Sequence, residues 1–229
     1  MSLPIGHDKH QAVRTMFDRI APRYDMMNRL ISLGLDQGWR RIALDLARVG
    51  PGDRVLDLAC GTGDMCEAAR ARGATVVGAD FAREMLRGAR QREIDASFVA
   101  ADAARLPVAT ASVDVLTCGF ALRNFVSLPE VFNEIARVLA PGGRIALIDV
   151  DRPRSALVRF GHSLYFDRFV PWLGARLSDR DAYRYLPEST AYLPDADEIF
   201  AMLDKAGIQQ VAKKSLLLGT AQILTGVRG

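Results

Sequence analysis

The 229-residue chain predicts an α/β fold: a seven-stranded, mostly parallel sheet with helices on both faces, a helical cap before the first strand and an antiparallel strand at the C-terminal end. Three observations carry this. Short apolar runs alternate with helical stretches through the middle hundred residues, the pattern of strands joined by crossover helices. The first run, Arg54 to Leu58, leads into the small-residue loop Cys60-Gly-Thr-Gly63 and then a helix from about Asp64. The second run ends in Asp80, nineteen positions after Gly61.

Met16 to Leu46 reads as two or three helices, punctuated by Pro22 and Gly34. Met16, Phe17, Ile20, Met26, Met27, Leu30, Ile31 and Leu33 form an apolar stripe there. Core packing is its plain meaning. Helices placed before the first strand can also cross the carboxyl ends of the strands, where ligands of open α/β sheets bind. Strands are expected near 54–58, 75–80, 97–100, 113–118 and 143–149, and helices near 64–72, 83–92 and 128–139. A helix over Asp195 to Ala206 follows Pro194 and stops at Gly207. Strands near 208–213 and 216–227 then close the fold as an antiparallel hairpin on the sheet edge. The whole is expected to be one domain, 1–229, with a cap over 1–50 and an added segment over 152–192.

Composition excludes several classes of protein. With 49% apolar and 25% charged residues the chain is ordinary for a globular protein. No run approaches eighteen uninterrupted apolar residues, and the first ten lack the apolar stretch of a secretory signal, so a cytoplasmic protein is expected. Cys60, Cys66 and Cys118 have neither metal-ligand spacing nor an even count, and His7, His10 and His162 form no metal set. A net charge of +3 is too mild to argue for a nucleic-acid partner. The charge is uneven, since Arg152 to Tyr185 holds seven arginines against three aspartates. Arg152 to Tyr192 also holds eight of the seventeen aromatics. Such a mixture suits a single-stranded nucleic acid, a membrane surface or a lid over a flat aromatic substrate, and the last two are compatible.

The glycine loop lacks the third glycine of a dinucleotide fingerprint, Cys66 standing in its place. Gly61 and Gly63 let the loop adopt conformations closed to other residues and bring its amides against a ligand. Asp80 is placed to accept hydrogen bonds from a ribose. Asp102, ending the third run, can reach an adenine amino group, and Asp57 suits a cationic group such as an amino acid carries. Ribose, adenine and a zwitterion together describe S-adenosylmethionine.

The Asp57-Leu-Ala-Cys-Gly-Thr-Gly63 loop, Asp80, Asp102-Ala103 and the Leu139-Ala-Pro-Gly-Gly143 turn resemble Rossmann-like class I S-adenosylmethionine-dependent methyltransferases. Phe17 to Asp25, Asn28 to Asp36, Trp39-Arg-Arg41, Leu122-Arg-Asn124 and Tyr183 to Ser189 are more specific, and resemble the ubiquinone/menaquinone biosynthesis C-methyltransferases. The resemblance runs from about Val13 to about Gly226. It implies cofactor contacts at Gly61, Thr62 and Gly63, Asp80, Asp102 and Ala103, with Gly119 beside the sulfonium and Tyr24 near the cofactor. It also implies a reduced, prenylated quinone precursor as acceptor, demethylmenaquinol or its ubiquinol-pathway equivalent; a homodimer and, from the aromatic and basic segment, a peripheral contact at the inner face of the membrane are further expectations.

Methylating a ring carbon needs an adjacent phenolate. A guanidinium stays protonated and cannot act as an ordinary base, but a nearby cation favours the phenolate. Arg123 is therefore expected to stabilise that charge and Asn124 to orient the ring oxygen, with water taking the protons. The chain departs from the family pattern at Ala121, at Asp149-Val-Asp-Arg-Pro153 and at Leu216 to Leu224, all on the acceptor side. A different small aromatic or lipid acceptor, an RNA acceptor and a non-catalytic cofactor-binding protein are the competing readings.

Overall fold

A computed structural model describes residues 6–151 and 170–229 and, between them, Pro153, Ser155, Val158, Tyr165 and Arg168. Phe160, Phe166, Phe169, Arg152, Arg154 and Arg159 of the expected aromatic and basic segment lie outside the described residues.

The strands are β1 Arg54–Leu58, β2 Thr75–Asp80, β3 Ser97–Ala100, β4 Val113–Gly119, β5 Leu139–Val150, β6 Ile208–Leu216 and β7 Ala221–Arg228. They form one sheet in the order β3-β2-β1-β4-β5-β7-β6. β3, β2, β1, β4 and β5 pair in parallel, whereas β7 pairs antiparallel with both β5 and β6. The closing hairpin thus adds to the edge with its second strand innermost. Chain order reverses direction at β1, so the carboxyl ends of β1 and β4 flank the switch point where open α/β sheets bind ligands.

Alternation along the strands builds two apolar layers. Leu56, Leu58, Leu116, Ile145 and Leu147 face one layer, completed by Val131, Phe132 and Ile135 of α6 (Leu128–Val138) and by Ile199 and Leu203 from Ala196–Lys205. Val55, Val115, Ala146 and Ile148 face the other, under Ala43 and Leu44 of α3 (Leu35–Leu46) and Met65 and Ala69 of α4 (Asp64–Arg70). Side-chain caps fix two helix starts: Ser127 accepts from the Glu130 amide and Asp195 from the Glu198 amide.

The cap consists of α1 (Gly6–Ile20), a single 3-10 turn at Ala21–Arg23, and α2 (Tyr24–Ser32). A third, smaller core joins Ile20 and Met27 from the cap to Met85 of α5 (Arg83–Gln91), Val170 of α7 (Val170–Leu177) and Ala182 of α8 (Arg180–Ser189). The helix over 196–205 is α9.

Three strand boundaries differ from expectation, and the first is that β6 runs on to Leu216 rather than ending near 213. β5 begins at Leu139 rather than near 143, because Val113 pairs with Leu139 and Val115 with Arg144, leaving Ala140 to Gly143 bulged out of the ladder. β7 begins at Ala221 rather than 216, because Leu217 and Leu218 take positive φ values of 41° and 56° in a tight turn.

Candidate functional site

Two cavities open beside the carboxyl ends of the central strands. The smaller, of about 280 Å³, is lined by Gly61, Asp80, Phe81, Asp102, Ala103 and Gly119, with Tyr24 at its wall. The larger, of about 440 Å³, is lined by Arg123, Tyr185 and apolar groups of the cap. Phe17, Tyr24, Phe120 and Asn124 line both, forming a shared wall.

Asp80 is the anchored acid of the smaller cavity. It is buried, with Oδ2 accepting from the Gly61 amide at 2.8 Å and Oδ1 from the Ala82 amide at 2.8 Å. Burial pushes its carboxyl up to about 6, while those amides pull the other way. Each oxygen keeps a lone pair for a ligand hydroxyl. Asp102 is half-exposed, its Oδ1 accepting from the Ala104 amide at 2.9 Å and its Oδ2 standing 3.5 Å from His10 Nε2. His10, which the sequence reading left without a role, packs edge-on against Phe81 at 5.2 Å between ring centroids.

Asp57, Thr62 and Gly63 line neither cavity. Asp57 lies under the glycine loop because its pleat faces the helix layer. It sits directly across from Thr117 in the β1–β4 register, whose hydroxyl donates to it at 2.8 Å, and Cys66 donates from the other side at 3.4 Å. Burial pushes its carboxyl up to about 7. Asp80 and Asp102 thus line one cavity, while Asp57 is held by Thr117 and Cys66 outside it. The Thr62 hydroxyl donates to Asp25 of α2, fastening the loop to the cap. Gly63, at φ 91°, precedes α4, and a β-carbon there would stand 2.8 Å from Ile94 Cδ1, so both its backbone conformation and its packing demand glycine.

The same junction holds a dense ionic network. Asp64 accepts from Arg92 Nη1 at 2.6 Å and from Gln37 Nε2 at 2.8 Å, with Arg40 Nη2 3.8 Å away. Desolvation raises the Asp64 pKa, but the Arg40 and Arg92 cations outweigh it and hold the carboxyl below its usual range. Arg40 in turn pairs with buried Asp36 at 2.6 Å. Cap, loop and α5 are thereby tied into one wall.

At the end of β4, Phe120 has φ 60°, a conformation costing a non-glycine residue about 1–2 kcal/mol. That twist aims its carbonyl at the next turn, where it accepts from Arg123 Nη1 at 2.8 Å and Asn124 Nδ2 at 3.5 Å. Arg123 is buried and lines the larger cavity. Its charge is not alone: Nη1 also donates to Asp149, and Nε donates to Ser189 Oγ at 3.1 Å. Nη2 has no partner among the described residues. Asn124 Oδ1 accepts from Tyr185 Oη at 3.2 Å. Asp149, Ser189 and Tyr185 were missed from sequence. Asp149 carried a usable signal, since it ends an apolar strand just as Asp80 does.

The geometry is that of a polar-lipped cavity beside a largely apolar chamber, with Asn124 at their joint and the Arg40 and Arg123 cations lining the chamber. A model of the ubiE/COQ5 methyltransferase family matches residues 6–228. The demethylmenaquinone methyltransferase of Thermus thermophilus is 43% identical, over 93% of this chain and 100% of that protein. The ubiquinone/menaquinone biosynthesis C-methyltransferase UbiE of Methylococcus capsulatus is 38% identical, over 97% of this chain and 94% of that protein. Among solved structures, a SAM-dependent methyltransferase from Thermotoga maritima superposes with a TM-score of 0.67 at 16% identity, covering 94% of this chain and 99% of that one, a likeness of fold.

Proposed function

The chain belongs to the ubiE/COQ5 methyltransferase family, and on that footing we propose that it transfers a methyl group from S-adenosylmethionine to a ring carbon of a reduced, prenylated quinone precursor. The observation carrying this is the shared wall: Asn124 touches both cavities while Arg123 faces only the apolar one. Donor and acceptor would then meet across Phe17, Tyr24 and Phe120.

The smaller cavity fits the cofactor by its chemistry, since Asp80 has lone pairs for two ribose hydroxyls and the small side chains of Ala101 and Ala103 leave room for a flat base. When bound there, S-adenosylmethionine supplies a methyl group on a sulfonium. The chain's own task is to hold the acceptor carbon in line and keep water away, which can supply about 7–11 kcal/mol of barrier lowering. A carbon–carbon bond forms as the carbon–sulfur bond breaks, and the ring loses one proton. Arg123 stabilises the phenolate from which that carbon draws its electron density, Asn124 orients the ring, and water carries the protons away.

Peripheral contact with a membrane is part of this reading. No helix among the described residues is long and apolar enough to cross one, so a prenylated acceptor would be reached from the surface. Leu33 and Leu218, each 78% exposed, and Leu217 border the larger cavity or its mouth, and Trp172 of α7 is half-exposed with Arg176 stacked on it at 4.9 Å. Apolar groups exposed around an apolar chamber suit entry of a lipid tail.

Incubation with methyl-labelled cofactor tests the proposal. Label should pass to demethylmenaquinol or to its ubiquinol-pathway counterpart and not to total RNA. Transfer to neither quinol, with transfer to another aromatic or lipid, would move the assignment to the competing acceptor class.

A further inference from the structure

α8 approaches the Arg123–Asn124 turn with two side chains four residues apart, one helical turn, so both fall on one face. Ser189 accepts from Arg123 and Tyr185 donates to Asn124. The direction of the second bond is fixed by its neighbours. The Phe120 carbonyl can only accept, so Asn124 turns Nδ2 toward it and presents Oδ1 to Tyr185. Oδ1 also only accepts, so the single Tyr185 proton is committed there. What Tyr185 has left are oxygen lone pairs, on a side chain that lines the larger cavity and accepts from no donor among the described residues.

We infer that Tyr185 reads the oxidation state of the acceptor: it accepts a hydrogen bond from a ring hydroxyl, and so selects the hydroxyl-bearing reduced ring over the oxidised quinone. The inference rests on the acceptor class proposed above and assigns its discrimination to one side chain. A quinone carbonyl has no proton to offer and meets the Tyr185 oxygen acceptor against acceptor. A hydroquinone satisfies Tyr185 through one hydroxyl, while Arg123 receives the developing negative charge on ring oxygen. Burial pushes the Tyr185 phenol up to about 12, so it stays neutral and keeps its proton on Asn124 throughout the physiological range. A site with a polar group placed for a substrate hydroxyl rejects the analogue lacking it, because the buried group is left unpaired.

The test is anaerobic titration of the full chain, saturated with S-adenosylhomocysteine, with 1,4-dihydroxynaphthalene and with 1,4-naphthoquinone. The wild-type protein should bind the diol about tenfold or more tighter than the quinone. In Tyr185→Phe that ratio should fall to within about twofold, with the loss on the diol side and the affinity for S-adenosylhomocysteine unchanged. Equal wild-type affinity for the two rings overturns the inference even if the variant does not fold, and leaves the acceptor class standing. A preserved ratio in Tyr185→Phe overturns it as well. Failure of the wild-type protein to bind either ring overturns the acceptor class and the inference with it.

Discussion

Asp149 is completely buried and accepts from Arg123 twice, through the guanidinium and through the main-chain amide at 3.3 Å. The carboxylate fixes where the cation can point and partly neutralises it. Both are out of water, so neither can lose the other without leaving an uncompensated charge, which costs about 3–5 kcal/mol.

That pairing separates stability from catalysis. Arg123→Met should lower turnover by orders of magnitude while leaving cofactor affinity nearly intact, and it should also lower the melting temperature by stranding Asp149. Adding Asp149→Asn to Arg123→Met should recover much of the stability and none of the turnover. Thermal unfolding and single-turnover rates on the two variants check this, and recovered turnover in the double variant would remove Arg123 from the chemistry.

Asp80→Ala should weaken cofactor binding about 100-fold or more, since two charge-assisted ribose hydrogen bonds are worth about 1.5–3 kcal/mol each. pH gives a second reading of the same residue. The carboxyl titrates at about 6 without ligand, and only the carboxylate leaves lone pairs on both oxygens for hydroxyl donors. Calorimetric affinity should therefore be level above pH 7 and fall as pH drops through 6. A flat profile from pH 5 to 8 would contradict the ribose assignment.

Asp57 gives the opposite kind of pH effect, on stability. Its folded pKa of about 7 lies above the model-peptide value near 3.8, so the folded state binds this proton more tightly than the unfolded one. The contribution is fully present below about pH 4 and is lost as pH rises through 7, at about 1.4 kcal/mol per pKa unit. Asp57→Asn should raise the melting temperature at pH 8 and flatten its decline between pH 4 and 7. Denaturant titrations at three pH values decide it, and an unchanged slope would show that Asp57 is not the titrating group.

These residues show how much could be read from the chain. The parallel sheet, the loop and Asp80 were legible because each depends on local pattern: apolar runs, small residues and a strand-end acid at a fixed offset. The family motif singled out Arg123 and Asn124, and both line the larger cavity. What could not be read was which way a side chain faces once distant segments arrive. Asp57 turns under the loop because Thr117, sixty positions later, is its neighbour in register. Thr62 is taken by Asp25, thirty-seven positions earlier. Ser189 and Tyr185 reach Arg123 and Asn124 across more than sixty residues, a proximity no periodicity reports. The boundary errors at β5 and β7 have the same origin, since a bulge and a left-handed turn depend on the partner strand.

The Leu216–Gly219 turn offers a last separation, between folding and lipid contact. Leu218 is 78% exposed, so it buries little on folding, and it is held at φ 56°, a left-handed conformation that costs a residue with a β-carbon about 1–2 kcal/mol. Leu218→Gly relieves that strain and should stabilise the protein by up to about 1 kcal/mol, since the greater freedom of glycine in the unfolded chain offsets part of the gain. If the leucine is there for a lipid surface, the same change should reduce co-sedimentation with vesicles and raise KM for a long-tailed acceptor, while leaving KM for a tail-less ring unchanged. A stabilised variant that binds vesicles as well as the wild type would leave the exposed leucines without that role, because an apolar side chain at an interface contributes in proportion to the area it buries.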